Sequence, residues 1–367
     1  MNNSMAISGV NVRRKEKQHE KGKLLNKLGE SASLILIAAM FATGTVVALL
    51  CHIPVKSVMS SYSYDVLVIL VAMELFTNLI AETELILGNG SDDLIAIITR
   101  ALLYPGVNTV MADLSFSQYW HNADIEGAEV RKVPLKDGVH DLDGMLAAID
   151  EKTSVVWVCN PNNPTGTIVS DEVLSAFLAK VPEDVFVVLD EAYIEYVTDR
   201  AYKDTLHYYR DYSNVILLRT FSKAYGLASF RVGYGIAQAD IIAKLDPVRA
   251  PFNNTILSQK VAQIALGDQD YIVSCREANE IGKKQYVAFC EKHGLNYFPS
   301  QTNFIMFEVK TSSNVVFEEM MKRGFIIRSG AALGLDGYIR VTIGTESQNA
   351  KFLQLLEEVL TEQGVFA

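Results

Sequence analysis

The sequence predicts an α/β protein: a large, mostly parallel sheet with helices on both faces, followed by a smaller α+β unit. Two observations carry that prediction. Between about residues 85 and 237, short apolar runs alternate with amphipathic helical stretches, the order from which parallel sheets are built. Several runs are apolar at every position, as in Val155-Val156-Trp157-Val158-Cys159 and Val185-Phe186-Val187-Val188-Leu189. Strands of that kind are expected to be covered on both faces. After Pro251 the pattern changes to long helices and then short strands, which sets the second unit apart.

The elements follow in order. Strands are expected near 108–113, 129–133, 155–159, 185–190, 215–220 and 233–237, with helices near 91–103, 117–125, 141–149 and 171–180. Ser91 or Asp92 reads as the N-cap of the first of these helices. Helices near 255–266 and 270–293 then precede strands near 304–309, 325–328 and 338–343, and an amphipathic helix near 347–362 closes the chain. The expected division is an N-terminal arm (1–33), a large domain (34–253) and a small C-terminal domain (254–367). No internal repeat or low-complexity segment is visible.

Composition narrows the function. A chain of 367 residues is long enough for two sub-domains with cores of their own. With 49% hydrophobic and 21% charged residues it is globular. A net charge of −10 argues against non-specific nucleic-acid binding, which needs a basic face. It leaves room for anionic small molecules held by a few local arginines. The four cysteines form neither a secreted disulfide framework nor paired metal spacing, and the histidines show no ligand spacing. A reducing cytoplasm and no metal are expected.

Four segments carry chemistry. In Thr220-Phe221-Ser222-Lys223-Ala224-Tyr225-Gly226, Lys223 is flanked by a hydroxyl and small residues, and Arg231 follows eight positions on. A buried lysine of lowered pKa can bond covalently to an aldehyde, while Ser222 and Arg231 can hold a phosphate. Asp190 ends the strand-like run before Glu191-Ala192-Tyr193, where ligands bind in open α/β sheets. A carboxylate there can keep a pyridine nitrogen protonated, and Tyr193 can reach a phenolic oxygen on the same ring. Asn160-Pro161-Asn162-Asn163-Pro164-Thr165-Gly166 forms a rigid loop after a strand, able to present an amide. Gly88-Asn89-Gly90-Ser91-Asp92 opens a helix, whose free N–H groups suit an anion. Taken singly, each has a plain structural reading, as a turn, a cap or a surface lysine. Pyridoxal 5'-phosphate is the cofactor that needs the Lys223 amine, Ser222 and Arg231 together, and the other segments are its companions.

In this order and spacing the motifs resemble fold-type I, class II pyridoxal-phosphate-dependent aminotransferases, and among these the histidinol-phosphate aminotransferases. The resemblance covers about residues 82 to 363. It implies a homodimer acting on small molecules in histidine biosynthesis, moving an amino group between L-glutamate and imidazole-acetol phosphate. It implies that Lys223 holds the cofactor and moves the proton, and that Asp190 binds the pyridine nitrogen. Asn163 and Tyr193 would contact the phenolic oxygen, and Ser222, Arg231 and the Gly90-Ser91-Asp92 backbone the phosphate. Phe116, in Leu114-Ser115-Phe116-Ser117, matches the aromatic that stacks on the cofactor, with Leu114 where the family usually has proline. Arg340 and Arg328 match the two arginines on the substrate side. Aromatic-amino-acid aminotransferases and phosphothreonine decarboxylases share the scaffold and are the near alternatives.

The N-terminus departs from that family. Residues 11 to 28 are polar and basic, and Leu34 to Cys51 is an uncharged, largely apolar run at the lower length limit for a spanning helix. The polar lead is too long for a secretory signal. The family's Ser-Asn-Glu-Asn-Pro-like and Tyr-Pro-Asp-Gly-like motifs are missing between about 31 and 81, although the length is about as expected. The tyrosine of the second motif reaches across the dimer to the partner's phosphate. The leading expectation is a local reading-frame shift that is later restored, with a folded replacement and a membrane anchor as alternatives. A catalytically impaired or membrane-tethered protein of the same fold is the reading of a different class.

Overall fold

The computed structural model describes residues 80–366, apart from 203 and 204. The N-terminal arm and the atypical segment up to residue 79, with its apolar run, lie outside the described residues. Among the described residues no helix is long and apolar enough to cross a membrane, and no group of His, Cys, Asp or Glu is arranged to hold a metal ion.

Seven strands form the large sheet: β1 (Leu85–Gly88), β2 (Asn108–Ala112), β3 (Glu129–Val133), β4 (Thr153–Cys159), β5 (Phe186–Asp190), β6 (Val215–Thr220) and β7 (Gly233–Ile236). Their order across the sheet is β1-β7-β6-β5-β4-β2-β3. From β3 to β6 every pairing is parallel, while β7 runs antiparallel to both β6 and β1. The continuous apolar runs are explained by burial on both faces. Val155, Trp157, Cys159, Val188 and Ile216 join one core, with Leu94, Ile95, Tyr119 and Ile241 from helices on that side. Val156, Val158, Val187, Leu189 and Leu217 join the other, with Met145, Leu174 and Phe177.

β1 was not expected from the sequence. Three apolar residues and a glycine are too few to separate a strand from a buried helical stretch. It matters because it delivers the chain into the glycine turn at 88–90. There the structure corrects the expected cap: Gly90, not Ser91 or Asp92, is the N-cap, and the helix runs Ser91–Leu102. Gly90 has φ 87 and ψ 167, a backbone region open essentially to glycine alone. A side chain there would also run into the Arg231 guanidinium. The turn is closed by the Asn89 N–H, which donates to Asp93 Oδ2 at 2.8 Å.

The second sheet is antiparallel, in the order β8-β10-β9, from β8 (Phe304–Glu308), β9 (Arg328–Ser329) and β10 (Tyr338–Thr342). Its core holds Ile305, Phe307 and Ile339 against Tyr286 of helix Gln269–His293 and Leu356 of helix Glu346–Glu362. The latter helix begins with a reciprocal cap between Thr345 and Gln348. β9 starts at Arg328, where the sequence suggested 325–328. Ile326 is 83% exposed, and only Arg328 and Ser329 face partners, Arg340 and Ile339. A helix over Ser313–Lys322 was also not expected.

Candidate active site

The carboxyl ends of β4, β5 and β6 point the same way, and the chain leaves each of them into one pocket. It is lined by Ser91, Asp92, Phe116, Asn163, Asp190, Tyr193, Ser222, Lys223 and Arg231, all singled out in the sequence, together with Cys159, Ala192 and Thr220. Gly90 sits at its edge, with the position of a missing Cβ turned toward Arg231.

Asp190 is the last residue of β5 and is buried. Its Oδ2 accepts the Tyr119 hydroxyl at 2.7 Å and its Oδ1 the Ala192 N–H at 3.2 Å. Burial pushes its carboxyl up to about 6, with the Tyr119 and Ala192 hydrogen bonds opposing that rise. Lys223 lies in the loop after β6, with Nζ 5.2 Å from the centre of the Tyr193 ring. Burial lowers its amine basicity, Asp92 and Asp190 raise it, and Arg340 and Arg231 lower it further. Tyr193 is held edge-on by Phe304 at 5.2 Å, and burial raises its hydroxyl pKa.

At the other end of the pocket Arg231 adopts a left-handed backbone, φ 54. Its guanidinium reaches the carbonyls of Ala228 and Asn89, at 3.0 and 3.3 Å, and Asp92 at 3.5 Å. Ser222, Arg231 and the first residues of helix Ser91–Leu102 line the same pocket. A Cβ on Gly233 would strike the Gly90-Ser91 backbone, so the close approach of β7 to this turn depends on glycine.

Arg340 and Arg328 stand opposite each other on β10 and β9 and line a neighbouring cavity with Asn314, Ile327 and Ser329. Arg340 connects the two spaces. Its Nη1 donates to Asn163 Oδ1, and its guanidinium lies 4.7 Å from the centre of the Phe304 ring. Burial and the nearby Arg328 lower its pKa. Arg328 is exposed at the mouth.

The donor set matches an aromatic ring bearing a basic nitrogen, a phenolic oxygen, an aldehyde and a phosphate. The buried acid, the amide and hydroxyl, the amine and the cradle are each available on the pocket wall. Sequence reasoning missed Tyr119, the direct partner of Asp190. Its one local signal was an aromatic three residues after Phe116, at the start of the expected helix.

The fold and the pocket define a transaminating enzyme of the α/β class. The model of the family described as aminotransferase class I and II matches residues 70–356, and the chain belongs to that family. The match leaves most of the atypical N-terminal segment outside. The chain is 72% identical over 288 residues to histidinol-phosphate aminotransferase of Lysinibacillus sphaericus, covering 78% of this chain and 79% of that one. It is 57% identical over 284 residues to histidinol-phosphate aminotransferase of Halalkalibacterium halodurans, covering 77% of each. Among solved structures, histidinol-phosphate aminotransferase from Sinorhizobium meliloti in complex with pyridoxal-5'-phosphate is similar at TM-score 0.75 and 27% identity, over 83% of both chains.

Proposed function

We propose that this chain transfers an amino group reversibly between L-glutamate and imidazole-acetol phosphate, giving L-histidinol phosphate and 2-oxoglutarate. It would work as a cytoplasmic homodimer that holds pyridoxal 5'-phosphate. The observation that carries the reading is that Lys223, Asp190 and the Arg231 cradle line one pocket, with Arg340 at its border. The 72% identity to a histidinol-phosphate aminotransferase supports this substrate pair over aromatic amino acids or phosphothreonine.

When bound, the cofactor supplies an aldehyde for covalent attachment and a protonated ring that accepts electron density. Asp190 provides the negative charge that holds a proton on the ring nitrogen. Asn163 has its amide oxygen engaged by Arg340. The Asn163 NH₂ group, together with Tyr193, would contact the phenolic oxygen. Ser222, Arg231 and the N–H groups of Gly90, Ser91 and Asp92 would hold the phosphate, and Phe116 would stack on the ring. Lys223, its basicity lowered by burial, would move the proton between the substrate's Cα and the cofactor's C4′. Arg340, with Arg328 at the mouth, receives the anionic end of the substrate. In the expected division into domains, the proposed cofactor residues fall in 34–253, and Arg328 and Arg340 fall in 254–367.

The test is chemical. Borohydride reduction of the cofactor-loaded protein should abolish its visible absorbance and leave a pyridoxyl group on the Lys223 peptide. A label on another lysine would remove the assignment. Turnover compared on histidinol phosphate, phenylalanine and phosphothreonine identifies the substrate. One observation favours a second reading, an impaired enzyme: the family's motifs between 31 and 81 are absent from the sequence. Poor solubility, weak dimerisation and low turnover, all restored by a family-like segment, would support it. Ordinary turnover by the unmodified dimer would set it aside.

A further inference from the structure

Asp190 is supported from behind the pocket. The hydroxyl that reaches its Oδ2 belongs to Tyr119, which is fully buried and does not line the pocket. The Tyr119 ring cannot turn away. Trp157 stacks on it at 4.8 Å and 12°, and Phe116 meets it edge-on at 5.7 Å and 81°. Trp157 is fixed in its turn. Its Nε1–H donates to Thr109 Oγ1 at 2.9 Å, and that hydroxyl donates to the Val155 carbonyl at 2.7 Å. A chain of buried contacts thus runs from β2 and β4, through the Tyr119 hydroxyl, to the carboxylate at the end of β5.

A buried carboxylate tends to take up a proton, and a hydroxyl donating to its charged form resists this. We infer that Tyr119 is a positioning residue that keeps Asp190 ionised and fixes the plane in which its carboxylate faces the cofactor's ring nitrogen, with Trp157 as its back wall. The inference rests on the proposed function, since the ring nitrogen is the cofactor's. Burial and the charge of Asp190 hold the Tyr119 hydroxyl in its protonated form, so it acts as a donor and not as an exchanging acid. The other groups that act on Asp190 are Asp92 and Lys223 across the pocket. Cys159 also lies beside it, with a thiol that burial pushes up to about 12.

The experiment uses full-length protein loaded with pyridoxal phosphate labelled with ¹⁵N in the ring, read by NMR across a pH series. Wild type should show the protonated-ring resonance at neutral pH. In Tyr119→Phe, which removes one oxygen and keeps the stacked ring, the ring's protonation equilibrium should shift about tenfold to a hundredfold toward the neutral form. That is the scale of a hydrogen bond to a charged group. Trp157→Phe keeps the hydroxyl but thins its back wall, and should shift the same equilibrium in the same direction by less. The thermal midpoint of the cofactor-free variants serves as the stability control, because a merely structural role would lower it and leave the ring resonance unmoved. An unmoved resonance in Tyr119→Phe, with the cofactor still on Lys223, overturns the inference and leaves the functional reading intact. Absence of cofactor from Lys223 in the wild type overturns both.

Discussion

Replacing Asp190 with asparagine should favour the cofactor-free variant over the wild type increasingly as pH rises from about 4 to above 6. Burial raises this carboxyl from 3.8 to about 6. An acid whose pKa is higher folded than unfolded binds more protons in the native state between the two values, so stability falls as pH rises through that window. The contribution is fully favourable below about pH 3.8 and is lost once pH passes about 6. Above that, the ionised carboxylate costs the cofactor-free fold about 3 kcal/mol, at about 1.4 kcal/mol per pH unit of displacement. Asparagine keeps the shape and an oxygen for the Tyr119 hydroxyl and carries no charge, while its NH₂ group meets the Ala192 N–H, a loss that does not change with pH. The assay is urea unfolding of both proteins without cofactor at about pH 5 and pH 8. The variant should gain on the wild type by about 1–2 kcal/mol between the two conditions. With pyridoxal phosphate added the order should reverse, because the charge then has its partner. A stability gap that does not change with pH, or a variant that loses stability as pH rises, would refute the reasoning.

Three further outcomes are expected. Arg340→Ala should raise KM for the phosphorylated substrate by an amount worth about 2–5 kcal/mol and leave cofactor retention nearly intact; steady-state kinetics beside cofactor titration separate the two, and lost cofactor with unchanged KM would contradict the role. Gly90→Ala forces a side chain into a glycine-only backbone region and against Arg231, so it should cost about 1–3 kcal/mol of stability and weaken cofactor phosphate binding. Unchanged affinity for cofactor would count against the cradle. Burial lowers buried His140 from 6.5 to about 4, against the Cys159 carbonyl contact that raises it. Its contribution is therefore present above pH 6.5 and falls away as pH drops toward 4, by up to about 3 kcal/mol. His140→Gln should flatten the acid limb of the stability curve, and an unaltered limb would exclude this source.

The parallel strands were legible because strands covered on both faces lose the alternation that would mark one solvent side, as in Val155–Cys159. β1 was not, since four residues carry too little pattern. Helix Ser313–Lys322 was hidden by Val315-Val316, a β-branched pair that suits a strand as well as a helix. The pocket residues were legible where chemistry sits in local motifs, around Lys223, Asp190 and Asn163. What escaped were partnerships made by the fold. Tyr119 meets Asp190 across 71 positions and Arg340 meets Asn163 across 177, and no spacing rule reaches that far. The N-cap at Gly90 escaped for another reason: neither its positive φ nor the Arg231 guanidinium packed beside it can be read from the local sequence.

The reversed strand β7 has a consequence for how the gene can vary. Because it runs against β6, its beginning faces the pocket, and the segment from Lys223 to Arg231 goes out and back between two paired strands. Thr220 pairs with Gly233 at the base, and the Phe221 N–H donates to the Val232 carbonyl at 3.0 Å. Lys223 and Arg231, the proposed covalent anchor and phosphate clamp, therefore ride on one hairpin whose two feet are fixed in register. Surface loops elsewhere can gain or lose a residue cheaply, but here one added or deleted residue moves the amine relative to the guanidinium by about 3 Å. Insertions and deletions between 221 and 232 should therefore eliminate cofactor loading even where the chain still folds.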